Sequence, residues 1–214
     1  MLRQAQHERK ILCDYNTQPV HPELVEGRTR SISKRSTIFT PVMRKKPQMP
    51  TITVRPATAA DVETILHFIK GLAAFENEPD AVKATTADLL RDGFGEQPKF
   101  EVLIAEVETE AVGVALFFPT YSTWEGRAGI HLEDIFVLEQ WRGHGVGHAL
   151  LVKLAKIAVA RDCARLELSV LDWNPAREFY HRLGIIHQEE WLPYRISSEA
   201  LRALANDQKS ETRN

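Results

Sequence analysis

The sequence has few cysteines and no long apolar run. Its 214 residues include only Cys13 and Cys163, which lie far apart and have no metal-ligand spacing, so neither a disulfide framework nor a zinc site is indicated. No stretch approaches the ~18 apolar residues of a transmembrane helix, and no N-terminal segment has the continuous apolar core of a secretory signal. These absences predict a cytoplasmic protein without membrane association.

Charge divides the chain into two parts. Residues 1–50 contain ten Lys/Arg and four Asp/Glu, whereas residues 51–214 contain seventeen and twenty-five. The first part has five prolines and no sustained periodicity, so we expect a disordered basic segment. Aromatic side chains are not interleaved with its basic residues, and no nucleic-acid partner is expected. The run from His21 to Gly27 resembles translated copies of a repetitive intergenic element, which favours a natural start at Met43 or Met49.

The rest of the chain is predicted to form one domain over residues 51–206, followed by a disordered tail over residues 207–214. A hydrophobic content of 43% is sufficient for one core. Predicted strands are Thr51–Val54, Phe100–Val107, Val112–Phe118, Leu132–Leu138, Arg165–Val170, Ile185–His187 and Trp191–Ile196. Predicted helices run from the capping box at Thr58 to Phe75 or Glu76, and over Thr86–Arg91, Val146–Arg161 and Pro175–Leu183, with Asn174 as the last N-cap. This alternation predicts an α/β fold with helices on both faces of a mixed sheet.

The most informative motif is a glycine-rich turn between a strand and a helix. The apolar strand Leu132–Val137 precedes Arg142-Gly143-His144-Gly145-Val146-Gly147, and an apolar helix follows directly. Glycines let backbone N–H groups approach a ligand closely, while the helix N-terminus and Arg142 supply positive charge. The turn therefore predicts a site for the phosphate or pyrophosphate of a cofactor.

Two other phosphate-binding loops fit this turn less well. A P-loop needs Lys and Ser or Thr after its last glycine, where this chain has His148 and Ala149. The dinucleotide fingerprint G-x-G-x-x-G matches at Gly143 and Gly145, and Glu167 lies near the position where its ribose-binding acid is expected. However, His148 occupies the position of the third glycine. A glycine turn without a ligand is the remaining alternative.

The pattern Arg142-x-x-Gly145-x-Gly147 resembles the acetyl-CoA pyrophosphate loop of the GNAT acetyltransferase superfamily. Further segments resemble its diamine (spermidine/spermine) N-acetyltransferase group, namely Arg55–Thr58, Leu72–Glu76, Asp88–Gly95, Thr120–Trp124, Leu132–Val137 and Trp173–Tyr180. The resemblance covers about residues 52 to 205. It implies a mostly antiparallel sheet flanked by helices, acetyl-CoA as cofactor, a homodimer, and a small polycationic amine, a polyamine or diamine, as acetyl acceptor.

The same resemblance implies where the cofactor binds. The main chain of Ile135, Phe136 and Val137 would hold the pantetheine arm, and one N–H there would polarise the thioester carbonyl. Contacts to the pyrophosphate would come from Arg142, Gly143, His144, Gly145, Val146, Gly147 and His148. Asn174 would lie near the pantetheine, although five residues separate it from Tyr180 where the family usually has six.

Acetyl transfer to an amine requires a base and an acid. An amine with a pKa near 10 is protonated at neutral pH, so it must lose a proton before it attacks, and the departing thiolate benefits from a proton donor. Glu133 is the predicted base, acting through a water. By resemblance, Tyr180 is the general acid that faces the sulfur of CoA. A salt-bridged strand glutamate and a helical tyrosine that only packs are the ordinary alternatives.

A cationic acceptor requires an acidic pocket. Residues that match substrate-lining positions of the family, or lie beside them, are Phe75, Glu76, Glu133, Asp134, Glu189 and Trp191. The indole of Trp191 would offer a cation-binding face.

Other acceptors and functions stay open at this point. A lysine-like amino acid such as thialysine would need a cationic partner for its carboxylate, which Arg91 or Arg195 could provide. A protein N-acetyltransferase would need an open peptide groove rather than an acidic pocket. A catalytically idle acyl-CoA-binding module would keep the glycine turn but lose the acid and the base, and this chain has both Tyr180 and Glu133.

Overall fold

The computed structural model describes residues 51–207. The predicted basic segment over residues 1–50, with the alternative starts at Met43 and Met49, lies outside the described residues, as does the tail from residue 208. Within the described part, no helix is long and apolar enough to cross a membrane.

Strands and helices alternate along the described residues. The strands are β1 (Ile52–Pro56), β2 (Glu101–Val107), β3 (Glu110–Ser122), β4 (Arg127–Val137) and β5 (Leu166–Leu168). The helices are α1 (Val62–Phe75), α2 (Thr86–Phe94), α3 (Val146–Ala160), α4 (Ala176–Arg182) and α5 (Ser198–Ala205). Two 3-10 turns, Ala59–Asp61 and Glu139–Trp141, precede α1 and the glycine turn.

The five strands form one sheet in the order β1-β2-β3-β4-β5. The first four pair antiparallel, and β5 pairs parallel to β4. A parallel neighbour cannot be joined by a tight hairpin, so the chain crosses over through α3 before it forms β5. The predicted mixed, mostly antiparallel sheet is confirmed.

Apolar side chains cover both faces of this sheet. On one face, α3 buries Leu150 and Leu154 against β2, β3 and β4. On the other face, α1 buries Ile65 and Phe68 against β2 and β3. Full burial of each such side chain contributes about 1.5–3 kcal/mol to the stability of the fold. The two helical layers therefore fix the strands whose ends form the site.

The hairpin of β3 and β4 is longer than predicted. Pairing continues through Thr120 and Gly129 to Ser122 and Arg127, because the ladder extends past the apolar residues from which strand limits were inferred. One predicted position is corrected as a result: Glu133 lies inside β4 rather than at the start of a strand.

The two predicted C-terminal strands, Ile185–His187 and Trp191–Ile196, are wrong. Both segments lack strand structure. The alternating apolar residues that suggested a strand, Leu192, Tyr194 and Ile196, are exposed and have no sheet partner within the described chain. Helix α5, which the sequence analysis did not predict, follows instead, and its N-cap Ser197 accepts a hydrogen bond from the Ala200 amide.

Candidate active site

A cleft opens where β4 and β5 separate. The two strands pair only between Ile130–Leu132 and Leu166–Leu168. Beyond these residues β4 continues, whereas the chain that follows β5 leads to α4. The cleft is lined by Leu72, Glu76, Leu132, Glu133, Ile135, Leu168, Ser169, Val170, Asn174 and Tyr180. The structure therefore brings the predicted base, the predicted acid and three further predicted site residues to one place.

From Glu133 to Val137, strand β4 has a strand neighbour on one side only. Strand β3 pairs there, with Ala115 opposite Ile135, while the pairing with β5 has already ended at Leu132. The opposite edge leaves main-chain groups that can bind the amides of an elongated ligand. The carbonyl of Val137 already accepts a hydrogen bond from Nε of Arg142 at 3.1 Å.

A β-bulge positions Glu133. Leu116 pairs with Asp134 and Phe117 pairs with Leu132, so Glu133 is the extra residue of β4. Bulges re-aim a side chain and are common beside active sites. The Glu133 side chain is 55% exposed, and its Oε2 lies 3.5 Å from Nε2 of His131. The predicted base thus combines a fixed backbone with access to solvent and to the cleft.

Two carboxylates affect the pKa of a third at this end of β4. Burial, followed by the charges of Glu133 and Glu76, raises the pKa of Asp134 to about 6. Like charges that are held together favour protonation of one of them, and they favour binding of a cation for the same reason. Asp134 does not line the cleft itself, but it adds to the negative potential there.

Tyr180 is almost completely buried, at 7% exposure, and it lines the cleft from α4. Burial and, to a smaller extent, the charge of Glu76 raise the pKa of its phenol to about 12. The phenol therefore stays protonated at neutral pH and can donate a proton. The ring of the adjacent Phe179 lies 3.6 Å from the position that a Cβ on Gly147 would occupy. Helix α4, which carries Tyr180, therefore packs next to the glycine turn.

Asn174 has two roles in this geometry. Its Oδ1 accepts a hydrogen bond from the amide of Ala176, the first residue of α4, at 2.9 Å, although the N-cap position of this helix is Pro175 and not the predicted Asn174. The residue is also buried and lines the cleft. Since its oxygen is engaged, its amide nitrogen is the side-chain group left to contact a ligand.

The glycine turn has the conformation that anion binding requires. Gly143 and Gly145 have φ angles of 74° and 90°, which glycine adopts without steric strain. Gly145 directly precedes α3, and no side chain caps that helix. The N–H groups of the first turn, which includes Val146, Gly147 and His148, together with the helix dipole, form a site for an anion.

The histidine and the arginine of the turn are held by their neighbours. Nδ1 of His144 lies 2.9 Å from the carbonyl oxygen of Arg142. The guanidinium of Arg142 lies over the Phe75 ring, 4.6 Å from its centroid, and 5.6 Å from that of Phe136. These are cation–π distances. The Phe75 ring also contacts Trp173, at 6.1 Å between centroids. Phe75, predicted for the substrate site, thus lies beside the arginine of the turn.

Besides Phe75 and Asp134, two further predicted substrate residues do not line the cleft. Glu189 and Trp191 are exposed, and the indole of Trp191 lies 6.1 Å from that of Trp124 at the far end of the β3–β4 hairpin.

The two arginines considered for a carboxylate are not at the cleft either. Arg91 forms ion pairs with Asp88 and Asp92 on α2. Arg195 is exposed in the segment before α5.

Five residues that were not predicted as site residues also line the cleft, namely Leu72, Leu132, Leu168, Ser169 and Val170. Leu72 reads as a core residue of α1, and no chemical feature distinguishes it. Ser169 and Val170 follow a strand that is parallel to its neighbour. Ligands of α/β sheets bind beyond the carboxyl ends of such strands, and this rule could have pointed to them.

Comparisons with known proteins fit this geometry. Residues 67–185 match the family model described as the acetyltransferase (GNAT) family. The chain belongs to the GNAT acetyltransferase family. The protein is accordingly an acyltransferase of the GNAT type, and the cleft between β4 and β5, beside the glycine turn, is its candidate active site.

Similar proteins cover most of the described GNAT domain. A thialysine N-epsilon-acetyltransferase of Bos taurus is 39% identical over 166 residues, which is 72% of this chain and 97% of that protein. A spermidine/spermine N(1)-acetyltransferase-like protein 1 of Homo sapiens is 39% identical over 163 residues, 71% of this chain but 23% of that protein. An integron cassette protein from the mobile metagenome of V. cholerae has a TM-score of 0.62 at 25% identity, covering 72% of this chain and 98% of the other.

Proposed function

We propose that the protein transfers the acetyl group of acetyl-CoA to the side-chain amine of a lysine-like amino acid of the thialysine type. The observation that carries the proposal is the cleft in which Glu133, Tyr180 and the open edge of β4 meet beside an anion-binding turn. The similar bovine protein is named for thialysine and matches over nearly its whole length, which supports an amino acid as the acceptor.

The residues present fit acetyl-CoA. The uncapped first turn of α3 and the left-handed glycines would hold the pyrophosphate. Arg142 can add its charge by leaving the ring of Phe75. The edge of β4 at Ile135–Val137 would hold the amides of the pantetheine arm, with Asn174 across the cleft. When bound there, acetyl-CoA supplies the acetyl thioester.

Two proton transfers accompany the acetyl transfer. Glu133 takes the proton of the substrate ammonium through a water, which frees the nitrogen lone pair to bond to the acetyl carbon. Tyr180, whose pKa is about 12, donates its proton to the sulfur as the carbon–sulfur bond breaks. A main-chain N–H of β4 stabilises the negative charge that develops on the carbonyl oxygen. Glu76 and Asp134 favour a cation at the cleft.

A polyamine or diamine is the second candidate acceptor. The grouping of Glu76, Glu133 and Asp134 favours it, because burial first, and then the charges of Glu133 and Glu76, raise the pKa of Asp134, so the three carboxyl groups lie close enough to attract a cation together. A second ammonium group would be attracted by these negative charges. The similar human protein is named for spermidine and spermine.

Acetyl-CoA consumption by the purified full chain decides between the two acceptors. The panel consists of thialysine, lysine, putrescine, spermidine and a lysine-containing peptide. The proposal predicts the highest kcat/KM with thialysine or lysine. A preference for spermidine or putrescine would select the second candidate, and turnover of the peptide alone would contradict both.

We also propose that the protein is a homodimer. Strand β5 is an edge of the sheet within the described chain, and the segment after α4 exposes Ile186, Leu192 and Tyr194. An open strand edge beside exposed apolar side chains is a surface that a second copy can cover. Light scattering should give twice the mass of one chain, and the mass of a single chain at micromolar concentration would contradict the proposal.

A further inference from the structure

A polar strip continues from Glu133 along the sheet, away from the glycine turn. We define the polar strip as Thr120, Gly129, His131, Glu133, Arg165 and Glu167. Neighbouring members are in contact: His131 with Glu133 at 3.5 Å, and Nε of Arg165 with Oε2 of Glu167 at 3.0 Å. A Cβ on Gly129 would lie 2.8 Å from Oγ1 of Thr120 and 3.3 Å from Cγ of Arg165. The side chains of three strands therefore share one face.

This face lies beyond the cover of α1. Helix α1 packs on Val114, Leu116 and Phe136, which lie towards the glycine-turn end of β3 and β4. The opposite face of the same strand segment, with Ile130 and Leu132, is buried under α3. The side chains of Glu133, Arg165 and Glu167 are 55%, 44% and 42% exposed, so a ligand that extends from Glu133 has a polar surface to bind.

Arg165 points along the polar strip towards Glu133. Ile130 donates a main-chain hydrogen bond to Arg165, and His131 pairs with Glu167. Because β4 and β5 run in the same direction, Glu167 is closer to the cleft than Arg165. The ion pair with Glu167 thus directs the guanidinium towards the cleft. That contact involves Nε, and a guanidinium has four further N–H groups for a second carboxylate.

The spacing fits an amino acid with a long amine side chain. Arg165 lies beside Gly129, four residues before Glu133, which is about 13 Å along the strand. An arginine side chain spans about 6 Å, which leaves about 7 Å, roughly the distance from the side-chain nitrogen of lysine to its carboxylate. The two ends of such a molecule would reach Glu133 and Arg165 together.

We propose that the Arg165–Glu167 pair binds the α-carboxylate and α-ammonium of the acceptor while Glu133 receives its side-chain amine. This inference rests on the proposed function and names the residues that make the acceptor an amino acid. The adjacent opposite charges of Arg165 and Glu167 match the adjacent opposite charges of a zwitterion. A diamine has no carboxylate that could pair with the guanidinium of Arg165. It should therefore bind this surface less tightly than an amino acid does.

The test compares lysine with 1,5-diaminopentane, which is lysine without its carboxylate. In the full chain, Arg165→Gln should lower the ratio of kcat/KM for lysine over diaminopentane by ~10- to 100-fold, mainly through KM for lysine, as expected for lost charge-assisted hydrogen bonds. The control is Arg161→Gln, since Arg161 is equally exposed (45% against 44%) and paired with Glu101 at the end of α3. It should leave the ratio unchanged.

A second comparison changes the substrate instead of the protein, so its result with the wild type does not depend on whether a variant folds. Lysinamide replaces the carboxylate by a neutral amide, so wild-type protein should prefer lysine to lysinamide and Arg165→Gln should lose that preference. An unchanged ratio in Arg165→Gln, with wild-type turnover of lysine intact, would overturn the subsite and leave the proposed function standing. Wild-type turnover of diamines without turnover of lysine or thialysine would overturn both.

Discussion

The phenol of Tyr180 and the carboxylate of Glu76 line one cleft, although Tyr180 belongs to α4 and Glu76 follows α1, which packs on the opposite face of the sheet. Burial first, and the Glu76 charge second, raise the pKa of the phenol to about 12. The carboxylate that favours a cationic acceptor therefore also adds, after burial, to the raised pKa of the proton donor. This coupling depends on the splaying of β4 and β5, which leaves the space between them.

Tyr180→Phe removes the proton donor but keeps the ring. Turnover should fall by roughly 10- to 1000-fold, on the scale of general acid catalysis, while the affinity for CoA stays nearly the same. Steady-state kinetics and calorimetric titration with CoA measure the two effects. Tyr194→Phe is the control, because Tyr194 is 92% exposed. An unchanged kcat in Tyr180→Phe would remove Tyr180 from its role.

Glu133→Gln removes the base without changing the size of the side chain. At pH 7 the acceptor amine is almost fully protonated, so kcat/KM should fall by roughly 100-fold or more. The deficit should shrink as pH approaches 10, where the free amine exists without help from a base. A pH series of kcat/KM, with the exposed Glu139→Gln as control, tests this. The same deficit at every pH would contradict the role of Glu133 as a base.

Asp134→Asn should stabilise the protein above neutral pH. The folded chain raises the pKa of Asp134 to about 6, whereas an unfolded aspartate titrates near 4, so between these values the folded state binds more protons. The free energy of unfolding of the wild type should therefore fall as pH rises from about 4 to 6, by about 3 kcal/mol in total. The amide that Asp134→Asn introduces cannot ionise, so the variant avoids this loss.

Urea unfolding of both proteins at pH 4, 6 and 8 measures the difference. The Asp134→Asn variant should be the more stable protein at pH 8, by up to about 3 kcal/mol, and the two should converge at pH 4. Equal stabilities at pH 8 would show that Asp134 has an ordinary pKa. The same variant should weaken amine binding above pH 6, because it removes a negative charge next to Glu133 and Glu76.

Gly145→Ala should weaken binding of CoA. Its φ of 90° lies in the left-handed region, where a Cβ costs roughly 1–2 kcal/mol, and relief of that strain would disturb the N–H groups of the first turn of α3. We expect at least a tenfold loss of affinity in a CoA titration. Gly126→Ala is the matched control, with a φ of 64° and an open Cβ position in the β3–β4 turn.

The control separates strain from ligand binding. Both alanine variants should lower the melting temperature by similar amounts, but Gly126→Ala should retain the affinity for CoA. An equal loss of affinity in the two variants would mean that the glycine turn is not the anion site.

Local patterns predict the parts of the site that lie within one element. The spacing of Gly143 and Gly145 before an apolar helix identifies the turn, and the left-handed φ angles follow from it. Thr58 and Asp61 form the predicted capping box, which lies on the 3-10 turn that leads into α1. These features depend on neighbours a few residues away, which the sequence shows directly.

Features that depend on pairing between strands are not visible in the sequence. The bulge that isolates Glu133 arises from its register with Leu116 and Phe117. Ser169 lines the cleft because it lies where β5 separates from β4. The alternation of apolar and polar residues over Trp191–Ile196 is typical of a strand. Among the described residues this segment has no strand with which to pair, and the prediction fails for that reason.

The most direct test of the account is to identify which nitrogen of thialysine becomes acetylated. The purified full chain is incubated with acetyl-CoA and thialysine, and the product is analysed by NMR and fragmentation mass spectrometry. The account predicts a single acetyl group on the side-chain nitrogen, because Glu133 and Tyr180 face that end while the polar strip holds the other. Acetylation of the α-nitrogen, or no acetylated product from a protein that binds CoA, would contradict it.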